Sequence, residues 1–209
     1  VQWKEKNLAY DIYFTSMSTI GGFLAGTLGG AVLGLSFWWS KTFAKIFEPY
    51  LVMFNAIPKL ALAPILIVLF GIGFSSKVML AFLMTVISCA LATVSGVENV
   101  DESMETLLYS LGAARWQVFG KVVVPAVLPW MLGSLRINIS LALAGAIVGE
   151  FYRIGARTWQ NGHLCGNYSG YHVSVVGVIV LSLLAMVMYF AVVELEKWMT
   201  EHLAIYRKA

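Results

Sequence analysis

Apolar residues in this chain come in long blocks separated by short polar intervals. Five blocks are long enough to cross a bilayer core of about 30 Å: residues 13–39, 50–70, 77–94, 122–148 and 173–195. The predicted fold class is an all-α polytopic membrane protein with about five transmembrane helices, forming a single domain over residues 1–209. Glycine recurs in the first block at Gly22, Gly26 and Gly30, a four-residue spacing that predicts close approach of another helix backbone. A short turn with Lys41 and Lys45 is predicted to lead into the second block. Pro58 and Pro64 interrupt that block around Lys59, so it is predicted to be bent or broken at mid-depth. Residues 71–76 read as a turn. The fourth block has Pro125 and Pro129 in its first turns and Arg136, Asn138 and Ser140 further in. The interval from Glu150 to His172 shows no clear helical period.

One polar interval is patterned. From Glu98 to Pro129 it opens with Glu98, Asp101, Glu102 and Glu105 and closes with Arg115 and Lys121. Between them Met104, Leu107, Leu108 and Leu111, then Trp116 and Phe119, recur at helical spacing around Gly112. The pattern predicts two short amphipathic helices joined at the glycine, the acids sitting favourably at the first N-terminus. Such a loop is built to present an apolar stripe and a polar rim to a soluble partner. The competing reading is an amphipathic helix lying on lipid. The acidic start opposes it, because the inner leaflet is itself anionic.

Composition narrows the class further. The 209 residues are 59% hydrophobic and 12% charged, about half the charge of an ordinary soluble domain. The net charge of +3 is dispersed, and no basic cluster reads as a nucleic-acid surface. Cys89 and Cys165 lie far apart and give neither a disulfide framework nor a metal spacing. There is no signal peptide, and the first residues, without Met, suggest a chain that begins mid-protein.

Three motifs in order carry a resemblance. Gly112, the nine residues after it, and then Val122, Val124 and Pro125 resemble the cytoplasmic loop of binding-protein-dependent ABC importer permeases, written E-A-A, three residues, Gly, nine residues, I-x-L-P. Ala56-Ile-Pro-Lys-Leu-Ala-Leu-Ala-Pro64 with Phe70-Gly-Ile-Gly73, and Ser110-Leu-Gly-Ala-Ala-Arg-Trp-Gln117, are similar to the nitrate, sulfonate and taurine branch. The family's glutamate position is Thr106 here, with Glu105 beside it. The resemblance spans about residues 15–151 and the last apolar block.

It implies a multi-pass permease of a bacterial inner membrane, with one more helix upstream. It further implies a second permease copy in a homodimer, two cytoplasmic ATPase subunits holding ATP and Mg, and a periplasmic or lipid-anchored solute-binding protein. No cofactor is expected in this chain, which carries no phosphate-binding loop, no H-E-x-x-H and no nucleophile elbow. Residues 98–121 would be the coupling loop, with Glu105, Leu107, Leu108, Leu111, Gly112, Ala113 and Arg115 meeting the ATPase. The cargo expected from this branch is a small anion such as a sulfonate, taurine or nitrate. Placing that loop in the cytoplasm puts Lys41, Lys45, Arg115, Lys121, Lys197, Arg207 and Lys208 inside, against Lys4, Lys6, Lys77, Arg153 and Arg157 outside. That is a small positive-inside bias.

Charges inside apolar blocks are costly unless paired, hydrated or able to snorkel. Asn55, Lys59, Arg136 and Ser140 are candidate residues of a translocation path for an anion. Arg136 and Ser140 share a helix face, and Asn138 points elsewhere. Structural alternatives stand beside this: Lys59 could satisfy carbonyls freed by Pro58 and Pro64, and Arg136 could pair with an acid at a helix end. Glu150 reads as a gate or an interfacial residue, and Trp159, Tyr168 and Tyr171 as a headgroup belt or a surface for an external protein. His163 with Cys165 lacks further ligands for zinc, and His172 and His202 read as surface residues. The rival function is an ion-gradient-driven secondary transporter or channel, which calls for an internal repeat and intramembrane carboxylates; neither is apparent. A membrane enzyme using Glu150 with His163 or His172 has no recognised spacing behind it.

Overall fold

The structure, a computed structural model, describes residues 5–160 and 182–200. Every element among them is helical. Helix α1 runs Glu5–Trp39 and α2 Lys41–Ala56; a 3₁₀ turn, Lys59–Leu62, leads to α3, Ala63–Phe70. Helix α4 spans Phe74–Glu98, α5 Glu102–Ser110 and α6 Arg115–Val118. A π turn, Phe119–Val123, joins α6 to α7, Val124–Gln160, and a last helix, α8, occupies residues 182–200.

Three helical stretches among the described residues are long and apolar enough to cross a membrane: Tyr13–Trp39, Phe74–Glu98 and Arg115–Gly149. The expected second block forms a bent pair, α2 with Lys59–Phe70, turned by 79°. Counted as one span it makes four. The expected fifth block is described only in its second part, as α8.

The glycine repeat is the seam of the fold. Helix α1 lies so close on α4 that a Cβ on Gly22 would stand 2.4 Å from the Ala81 Cβ, and one on Gly30 would stand 2.4 Å from the Val86 carbonyl oxygen. Without a hydrophobic drive between helices in lipid, such close backbone packing is the main source of adhesion. Helix α7 covers the pair, and Phe23, Ala81, Leu132, Leu135, Ile139, Ala142 and Leu143 form one buried cluster. Ala185, Met188, Val192 and Met199 of α8 pack on it. Thr19 and Thr93 inside the bundle donate to the carbonyl one turn earlier, Thr15 O and Cys89 O, each at 2.8 Å, which satisfies these two hydroxyls without a partner helix.

Several element boundaries differ from the sequence-based expectation. The stretch with Lys41 and Lys45 is helical rather than a turn, because Ser40 caps it: the Phe43 N–H donates to Ser40 Oγ at 3.2 Å. Helix α2 tolerates Pro49 and stops at Ala56, before Pro58. Pro64 does not break anything. It sits in the first turn of α3, where the missing N–H would have had no partner anyway. Residues 150–160, expected without helical period, continue α7. They contain no proline, and an established helix extends through mixed residues at little cost. Lys77, expected at the outer surface, is 1% exposed; its Nζ donates to Thr15 Oγ1 at 3.2 Å and lies over the Phe14 ring. Glycine at 149 leaves room for its stem, since a Cβ there would be 2.8 Å from Lys77 Cγ. The side chains of Glu150 and Trp159, and residues His163, Cys165, Tyr168, Tyr171, His172 and His202, lie outside what the structure describes.

Candidate functional site

The patterned polar loop, expected from the resemblance to couple to an ATPase, forms where α4 ends. Asp101 caps α5 by accepting the Ser103 N–H at 2.8 Å, and those hydrogen bonds from Ser103 hold its carboxyl below the usual aspartate range. Glu102 and Glu105 occupy the first turn, where the helix dipole favours them. The helix ends in a paired-carbonyl cap: Gly112 N–H donates to Tyr109 O at 3.0 Å and Ala113 N–H to Leu108 O at 3.0 Å. That motif needs a left-handed residue between the two bonds. Gly112 supplies it, with φ of 82°. Gln117 then caps α6 by accepting the Ala114 N–H at 2.9 Å. The second short helix of the expected pair is therefore the first turn of the rod that continues through the π turn into α7. Pro125, which has no N–H to give, follows that turn directly.

Among the described residues none covers helix α5 enough to bury any of its side chains fully. Leu111 is 74% exposed and Trp116 70%, and Met104 and Leu107 are exposed as well. Leu108 and Ala113 are half-buried. Thr106, at the family's glutamate position, points outward, and its hydroxyl donates to Glu102 O at 2.8 Å.

Glu105 and Arg115 do something the sequence did not suggest. Both turn to the end of α1. Trp38 Nε1 donates to Glu105 Oε1 at 2.8 Å. The Arg115 guanidinium lies 5.3 Å from the Trp38 ring centre and 5.2 Å from that of Trp39, and it donates to the Trp39 carbonyl. Phe119 packs on both indoles at 5.3 and 5.6 Å. A cation on the last carbonyl of a helix offsets the negative end of its dipole. Two tryptophans at a span end also match the ordinary headgroup belt, so the sequence held no signal for this cluster.

The candidate path residues fall in two places. Lys59 Nζ donates to Asn55 Oδ1 at 2.9 Å across the break at Pro58; Asn55 is exposed and Lys59 half-buried. Arg136 forms a two-pronged ion pair with Glu196 of α8, Nε to Oε2 at 2.6 Å and Nη2 to Oε1 at 3.0 Å. Of the readings open for Arg136, the geometry provides the acid partner. Glu196 lies sixty positions away in sequence. Ser140 is exposed on the same face and donates to Arg136 O at 3.1 Å, whereas Asn138 is fully buried and donates to Ser134 Oγ at 3.3 Å. Cys89 is a free, buried thiol that donates to Thr27 O at 3.2 Å. Among the described residues no three His, Cys, Asp or Glu come together in a way that could hold a metal.

Residues 22–201 match the family described as binding-protein-dependent transport system inner membrane component. The chain belongs to that family. Like its other members it is a multi-pass membrane protein of a transport system. It is 33% identical over 150 residues to the formylaminopyrimidine transport permease protein ThiX of Halalkalibacterium halodurans, matching 69% of this chain and 60% of that one. To the taurine transport system permease protein TauC of Escherichia coli it is 27% identical over 176 residues, 84% of this chain and 64% of that one. The chain thus spans about three-fifths of the length of these curated relatives. The inward-facing structure of the MetNI methionine ABC transporter shares its fold, with a TM-score of 0.63 at 18% identity over 90% of this chain and 91% of that one.

Proposed function

We propose that this chain is the membrane-spanning permease subunit of an ATP-driven importer for a small, anionic or zwitterionic solute. The observation that carries the reading is the family match across residues 22–201, joined to a short helix outside the spans whose apolar residues Met104 and Leu107, with Leu111 at its end, are exposed among the described residues. The family description names a transport system that depends on a binding protein. ATP hydrolysis, with Mg, belongs to two partner subunits; this chain converts their closure into movement of helices. Leu107, Leu108, Leu111 and Ala113 dock, Gly112 holds the turn, and Glu105 and Arg115 brace the loop against the bundle. A second copy of the chain completes the path, a solute-binding protein delivers cargo from outside, and access alternates between the two faces.

Lys59 with Asn55 is the best candidate for contact with the solute. A lysine near the centre of a span facing lipid costs about 3 kcal/mol on insertion scales, so a half-exposed one at a helix break is better accounted for by a hydrated path. Arg136, already neutralised by Glu196, serves instead as a tie between α7 and α8, with Ser140 beside it. The taurine relative supports a sulfonate-type solute and the formylaminopyrimidine relative a neutral heterocycle. The cation at Lys59 favours the former.

Purification of the full-length protein from its host membrane tests the reading. The expected result is a stoichiometric nucleotide-hydrolysing subunit and MgATP hydrolysis by the complex. A protein that purifies alone and drives uptake into vesicles from an imposed ion gradient would overturn it.

A further inference from the structure

We propose that the coupling loop drives α1 directly, through Trp38 and Trp39, and does not act on α7 alone. The inference rests on the importer reading above and adds to it a second load path. The covalent route from α5 leads through α6 and the π turn into α7. That route includes Gly120 within the π turn, where an added side chain would meet open space and where glycine is a weak helix former. The route to α1 is made of short, direct contacts. Glu105 accepts the Trp38 indole N–H at 2.8 Å, Arg115 binds the Trp39 carbonyl, and its guanidinium lies on both indoles. Phe119 fills the space between these rings and the base of α7.

Helix α5 buries no residue fully and only Glu105 and Leu108 in part, so the Glu105–Trp38 bond is a principal tie between that helix and the spans. Trp38 is in turn packed on the buried cluster of Val100, Val123 and Val127. Beyond it, the glycine seam locks α1 to α4 backbone against backbone. A displacement delivered at Trp38 therefore carries two helices as one body to their outer ends. Glu105 is committed to this inward bond and Thr106 to its own helix. The surface left for the ATPase is accordingly the apolar one. Glu105, Arg115 and Trp38 are positioning residues: they touch neither nucleotide nor solute.

A purely local role would fix the resting pose of α5 and leave the outer end of α1 responsive to nucleotide. The two roles separate when spin labels are placed at Ser110, beside the loop, and at Tyr13, at the far end of α1, in single-cysteine variants of the full complex in nanodiscs. Cys89→Ala and Cys165→Ser remove the two native thiols, and MgATP with vanadate is the trigger. In the otherwise native complex both inter-copy distances change on trapping. With Trp38→Phe, which keeps the ring and loses the donor, or with Glu105→Ala, the change at 110 persists and most of the change at 13 is lost. Glu105→Gln keeps an acceptor for the indole and retains both changes. Wild-type movement at 13 in Trp38→Phe and Glu105→Ala would overturn the inference and leave the importer reading standing. No response to nucleotide at either site in the native complex would overturn both.

Discussion

The α1–α4 seam and the coupling loop are built from opposite solutions to the same problem of holding short range contacts. In the seam, glycines face a backbone: added Cβ atoms at Gly22, Gly26, Gly30 and Gly34 would all fall under 2.5 Å from an atom of α4. In the loop, Gly112 faces open space, with nothing within 4 Å, and is held there only by its φ of 82°. One glycine set serves volume and the other serves backbone shape. The seam is complete within the chain, whereas the loop leaves large apolar side chains uncovered. The first arrangement locks two helices into one body, and the second leaves apolar side chains open at the surface.

The largest effect that would sharpen this contrast is expected at Gly30. Gly30→Ala meets the Val86 carbonyl at 2.4 Å and Ala90 N at 2.9 Å, backbone atoms that cannot step aside. Overpacking of this kind costs about 1–3 kcal/mol, occasionally more, read as a lower thermal midpoint in detergent. Gly21→Ala, whose nearest neighbour is a side-chain methyl at 3.9 Å, should be neutral or stabilise by up to about 1 kcal/mol. Equal loss in both variants would break the argument that the seam is the discriminating feature.

Next is Gly112→Ala. It has room, so only the left-handed backbone opposes it, at roughly 1–2 kcal/mol. The loss should be confined to the loop, seen as faster amide exchange at Gly112 and Ala113 with an unchanged global midpoint. Gly112→Asn should recover part of it, since asparagine tolerates that region better. A fall in the global midpoint as large as that of Gly30→Ala would show that the loop is not the separable region described.

The smallest effect concerns acid. Asp101 has a folded-state pKa below its unfolded one because Ser103 donates to it. Its cap is therefore fully present above the unfolded value, about 4, and is lost as pH falls through the folded one. Protection of the Ser103 and Met104 amides, taken relative to their intrinsic exchange rate at each pH, should fall on acidification into that window and stay flat across it in Asp101→Asn, which caps without titrating. The same acid sensitivity in both proteins would remove Asp101 as its source.

Much of the candidate site was legible before any coordinates. Gly112 as the joint, the acids at the head of α5 and the apolar stripe follow from local rules of capping and period. The packing face of Gly22, Gly26 and Gly30 follows from a four-residue repeat, and the break at Pro58 from a missing donor. Illegible were the directions of Glu105 and Arg115, the burial of Lys77 and the pairing of Arg136 with Glu196. Each depends on what another helix brings within contact distance. The helical extent of residues 41–49 was readable in principle from the Ser40 cap, yet lysines so close to a span end read more readily as a turn.

The sequence by itself determined which segments enter the membrane, where they bend, and that one polar loop has the make-up of a docking helix. Those properties are additive along the chain: transfer of side chains into lipid, proline and glycine backbone limits, and helix caps all act within a few residues. Tertiary structure decided which charges are spent inside the chain and which remain for a partner. A guanidinium or carboxylate reaches only the groups that packing brings to it, and the packing of α1, α7 and α8 against their neighbours fixes whether those are a tryptophan, a carbonyl or an acid from a distant helix.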